Sequence, residues 1–75
     1  MAEEPADGVA SPAIERALTV YERLRPLEQA ERVQARKVVT QHIYGMIAEG
    51  EMNEDRLVVG GLSELKRRER ELKQI

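Results

Sequence analysis

The side chains able to do chemistry are few. His42 is the one histidine, Tyr21 and Tyr44 are the only aromatics, and cysteine is absent. Histidine is the natural general base near neutral pH, but it works only beside a partner in a pocket. Glu49 and Glu51 lie too far along the chain to orient His42 within one helical turn, and no Ser/Asp arrangement stands out. No catalytic residue is therefore expected, and His42 reads as a boundary or surface histidine. With no thiolate and a single imidazole, no metal site or cofactor is expected either. The two tyrosines are expected to cover the edge of a core with their hydroxyls in water.

Two patterns remain near the C-terminus. Lys66, Arg67, Arg68, Arg70 and Lys73 form a basic run interrupted by Glu69 and Glu71 and preceded by Glu64. Glu64–Arg68 and Glu69–Lys73 have the i,i+4 order that supports a solvated helix. Arg67, Arg68 and Arg70 are the candidate nucleic-acid contacts. The interspersed carboxylates blunt phosphate attraction, and no aromatics interleave for base stacking. The second pattern is apolar. Val58, Leu65 and Leu72 recur at seven-residue spacing, with Leu62 on the same side and Ile75 beyond. That row suits a short helix–helix seam, so Val58, Leu62, Leu65, Leu72 and Ile75 are the candidate partner-binding residues.

These residues need elements to position them. Residues 1–10 mix Glu, Pro, Asp and Gly with little to bury, and read as a disordered acidic arm. Ser11 and Pro12 have the types of an N-cap and a first helical residue. Ile14, Ala17, Leu18, Tyr21 and Leu24 then form an apolar stripe, predicting a helix over 12–24 that ends before Pro26. A second helix is expected to run to about Glu49 and stop at Gly50, with Glu28 and Glu31 at its start. Asn53 caps a third, expected over 54–73. The predicted fold is all-α: residues 11–75 form one three-helix domain, a helical hairpin plus a third amphipathic helix. Its expected core is Leu18, Tyr21, Val39, Ile43, Met46, Ile47, Val58, Leu62 and Leu65.

Gly60 and Gly61 interrupt the third helix. Each costs about 0.8–1 kcal/mol relative to alanine in a helix interior. Three readings stay open: a continuous helix packed backbone to backbone against a neighbour, with Gly45 as counterpart; a break near Leu62; or a short strand at "RLVV". "VVGGL" lacks the spacing of a phosphate-binding loop.

The totals bound what such a domain can be. A chain of 75 residues buries only about 60% of its unfolded surface, so its own core leaves little stability in reserve. Disulfides are excluded, which leaves regular helix packing or self-association. A core without Phe or Trp favours closely spaced helices over a roomy pocket, so no small-molecule substrate is expected. A net charge of −2 gives no general pull toward nucleic acid or anionic membrane. No apolar run approaches the roughly 20 residues of a membrane span, and "MAEEPADGVASP" does not read as a secretory signal. A cytoplasmic location follows as the default expectation. The expected function is that of a non-catalytic helical protein–protein interaction or adaptor module, self-associating as a homodimer.

One stretch carries a resemblance. "IAEGEMNEDRLVVGGLSELKRRERE" resembles the C-terminal helical part of ParD-like antitoxins, where a helix ending in Gly is followed by one bearing Val-Val and then Leu-, Glu- and Arg-rich sequence. Gly50 and Val58-Val59 fall at the matching spacing, and the later part needs a shift by one residue. That family begins with a short alternating strand that pairs in a dimer and reads DNA, where this chain has two helical stretches. The resemblance implies, as an alternative, a DNA-binding regulator or antitoxin-like dimer using the basic C-terminal helix.

Overall fold

The computed structural model describes the backbone of residues 5–73 and the side chains of residues 8–70. It is an all-α domain of three helices: α1 (Pro5–Leu24), α2 (Gln29–Ala48) and α3 (Glu54–Lys73), each packed on the other two. Ion pairs between the helices fix their directions. Arg16 meets Glu54 and Asp55 while Tyr21 meets Glu69, so α1 and α3 run parallel. Arg36 meets Glu15 while Arg32 meets Glu22, so α2 runs against α1.

The helix ends follow local chemistry. The Glu28 N–H donates to Glu31 Oε1 at 3.0 Å, completing a capping box at the start of α2. Gly50 takes φ 108°, and the Gly50 and Glu51 N–H groups donate to Ile47 O and Met46 O. That is a Schellman ending, which favours glycine at this position. Asn53 Oδ1 accepts from the Arg56 N–H at 3.0 Å and starts α3.

The first helix corrects the sequence expectation. It starts at Pro5 rather than Pro12, so α1 takes in Val9 and Ala10, which the sequence placed before it. The physical reason is packing: Ala10 is fully buried and Val9 is partly buried against the core. Pro12 then sits inside the helix on its exposed side, where it withholds one backbone donor. Residues 1–4 of the expected arm lie outside the described residues.

The core joins a small-residue stripe on α1 to branched residues on the other helices. Ala10, Ala13, Ile14, Ala17, Leu18 and Tyr21 meet Ala35, Val39 and Ile43 of α2 and Leu57, Val58 and Leu65 of α3. Met46, Ile47 and Leu62, expected inside, are only partly buried against this cluster. Helix α3 is continuous through Gly60 and Gly61, and no strand occurs among the described residues.

Candidate interaction surface

The glycine pair marks where α3 comes nearest its neighbours. A methyl added at Gly61 would lie 3.4 Å from Ile43 Cδ1 and Val39 Cγ1 and 3.5 Å from Ala17 Cβ. Gly61 thus sits where all three helices meet. A methyl at Gly60 would fall 2.5 Å from the Met46 sulfur. Gly45 is not the counterpart that its place in α2 suggests: it is exposed, and nothing approaches its missing side chain within 4 Å.

The expected partner-binding row faces inward over its described part. Val58 and Leu65 are 6% and 5% exposed, and Leu62 is partly buried. Their surface is taken up inside the domain, which corrects their assignment as an external seam. Seven-residue spacing identifies a helix–helix contact, but here the partner helices are α1 and α2 of the same chain. The side chain of Leu72 and the whole of Ile75 lie outside the described residues.

The basic run is organised by one carboxylate. Glu64 is buried at 9% exposure on the side of α3 that faces α2. Arg68 Nε donates to Glu64 Oε2 at 2.9 Å, and Arg67 donates to both oxygens at 2.7 and 3.2 Å. These hydrogen bonds, from Arg68 and then Arg67, hold the Glu64 carboxyl below its ordinary value against the cost of burial. His42 Nδ1 lies 3.9 Å from Glu64 Oε1, beyond hydrogen-bond length. The histidine therefore does have a carboxylate neighbour, supplied across the helix interface rather than along its own helix. Arg70 is exposed.

Tyr21 lies in the core as expected, but its hydroxyl is not left to water. It is buried, and its hydroxyl donates to Glu69 Oε1 at 3.0 Å, with Arg25 Nε 3.6 Å from the other Glu69 oxygen. Burial, and then the hydrogen bond to Glu69, push the phenol up from its ordinary value. Tyr44 is exposed, nearer to expectation.

No cluster of three or more metal-ligating side chains occurs among the described residues, and no described helix is long and apolar enough to cross a membrane. A shallow, open depression runs along the outer face of α2 past Val33, Lys37 and Thr40. It lacks the enclosure with which pockets exclude water from a ligand. The surface instead carries scattered large apolar side chains: Val20, Leu24, Val33, Tyr44, Met52 and Val59. Sequence reasoning passed over Val20 and Val59 because each stands next to a core residue and breaks the apolar stripe of its helix. Comparison with protein-family models, curated proteins and solved structures gives no match.

Proposed function

We propose that this protein is a non-catalytic helical interaction module that associates with itself. The observation carrying this reading is the placement of Leu24 and Val59, 62% and 61% exposed, on a chain with few large apolar residues to spare. Apolar side chains ringed by polar ones are the arrangement found at protein interfaces. The partner expected first is a second copy, because a domain of this size gains stability by burying more surface. A non-enzymatic role is supported by the setting of His42, whose nearest described carboxylate is held by two arginines. We place the protein in the cytoplasm, consistent with its lack of cysteine. Sedimentation equilibrium across a concentration series tests the reading: a mass rising toward twice the monomer supports it, and a strict monomer at high micromolar concentration removes it.

A second reading is a DNA-binding regulator. Arg67 and Arg68 remain more than half exposed although both touch Glu64, and Lys66 and Arg70 are exposed on the same helix end. Salt-dependent retardation of duplex DNA, weakened uniformly by substituting Arg70, would favour this reading. Indifference to DNA at low salt would end it.

A further inference from the structure

From the meeting of α2 with Gly60, we infer that His42 and Met46 bind a soft monovalent cation of the copper(I) and silver(I) class, held between the imidazole Nε2 and the thioether sulfur. The site does not depend on self-association. The two residues stand one turn apart on α2, so their side chains share one face of that helix. Opposite them α3 presents Gly60. The point that a Gly60 methyl would occupy lies 3.6 Å from His42 Nε2, 2.5 Å from Met46 Sδ and 2.8 Å from Met46 Cε. A ring nitrogen and a sulfur thus converge on a spot that glycine leaves clear.

The donors select the cation. A thioether is a soft, uncharged ligand that favours copper(I), and imidazole also serves copper. Monovalent copper and silver are satisfied by a pair of such donors, whereas zinc completes a tetrahedral shell. No group of three or more His, Cys, Asp or Glu side chains able to hold a metal occurs among the described residues, so zinc finds no such shell. Calcium and magnesium need oxygen ligands. Cysteine is absent, so no thiolate competes for a soft ion. The imidazole is also oriented for the task. Its Nδ1 faces Glu64 Oε1 at 3.9 Å, and a carboxylate on that side favours the tautomer that carries its proton there. Nε2 then keeps its lone pair toward Gly60, and no hydrogen bond occupies it among the described residues. Carboxylates commonly orient metal-binding histidines in this way. Arg68 and Arg67 hold Glu64 in place, so it orients the ring rather than ligating the ion. The His42 side chain is 37% exposed, and Met46 and Gly60 are half-buried, which leaves the site open to solvent. The flexible methionine chain lets the sulfur close on the ion.

Silver(I) nitrate in chloride-free buffer is the probe, since silver keeps its oxidation state there. Isothermal titration should show binding of one ion per chain, and NMR spectra should show the Met46 methyl and the His42 ring moving together. Zinc(II) should leave the Met46 methyl unmoved. Met46→Leu and His42→Gln should each weaken silver binding at least about tenfold. Gly60→Ala, which fills the meeting point, should do the same. Met52→Leu removes an exposed thioether elsewhere and should bind silver as the natural chain does. Met46→Leu changes little volume, and circular dichroism checks that every variant keeps its helix content. The natural chain decides the matter even without variants: silver that moves another methionine methyl but not that of Met46 overturns the site. Affinity unchanged by Met46→Leu or His42→Gln overturns it as well, and so does a chain that binds no silver.

Discussion

Gly61→Ala offers the sharpest test of how the three helices meet. A glycine inside a helix usually implies that a side chain would not fit. Here the added methyl would sit 3.4–3.5 Å from Ile43, Val39 and Ala17, which is ordinary contact distance. Alanine should therefore gain the helix propensity that glycine forgoes, about 1 kcal/mol. The methyl enters a buried position, and removing it from water contributes up to about 0.8 kcal/mol more. The expected result is a stabilisation of about 1–2 kcal/mol, and each kcal/mol moves the midpoint of a domain this size by roughly 4–8 °C. Gly61→Leu sets the opposite bound: its larger side chain has no room among those atoms and should cost about 1–3 kcal/mol. Thermal and urea unfolding followed by circular dichroism, at one fixed protein concentration because association shifts the midpoint, measures both. If Gly61→Ala destabilised by 1 kcal/mol or more, the helices would approach more closely than described, or α3 would break at the glycines, and the reasoning would fail.

Other substitutions probe separate links. Gly50→Ala forces a side chain into the left-handed region at φ 108° and should cost about 1 kcal/mol in urea unfolding. Ile43→Ala, at a fully buried site, should cost about 2–5 kcal/mol and bring the chain to the edge of unfolding at room temperature, as a circular dichroism melt would show. Glu64→Gln addresses pH. The Glu64 carboxyl is held below its ordinary value in the fold, so its contribution is complete above the unfolded value of about 4.3 and fades as pH falls through the lower folded value. The gap between natural and variant stability should accordingly narrow on acidification, and a gap that is constant from pH 7 to 3 would contradict the ion-pair account. Tyr21→Phe leaves Glu69 without its hydroxyl donor and should cost about 1 kcal/mol near neutral pH in the same unfolding assay.

Much of the fold was legible because its punctuation is local. Gly50 and Asn53 each act on backbone groups a few residues away, and α3 runs over the predicted 54–73. The start of α1 was misread because the early core contacts are made by Ala10 and Ala13, whose small side chains give little amphipathic signal, while Ser11-Pro12 imitates a helix start. The candidate surface was hardly legible. Heptad spacing identified Val58 and Leu65 as packing residues but could not say whether the opposing helix belonged to the same chain. The burial of Glu64 and the partner of the Tyr21 hydroxyl were not legible for a related reason. Glu64 depends on α2 and the Tyr21 hydroxyl on Glu69 of α3, each arriving from elsewhere in the sequence, and a charged or hydroxyl-bearing side chain gives no local sign of that arrival.

The hydrogen bond from Tyr21 to Glu69 has a practical consequence. A phenol bound to a carboxylate loses much of its fluorescence, and no tryptophan is present to mask the tyrosine emission. The contact joins the end of the first helix to the late turns of the third, so an ordinary fluorimeter can follow the parting of those two helices without any attached dye. Brightening on dilution, salt or acid would report the opening of that joint, and the Tyr44→Phe protein would leave Tyr21 as the sole source of the signal.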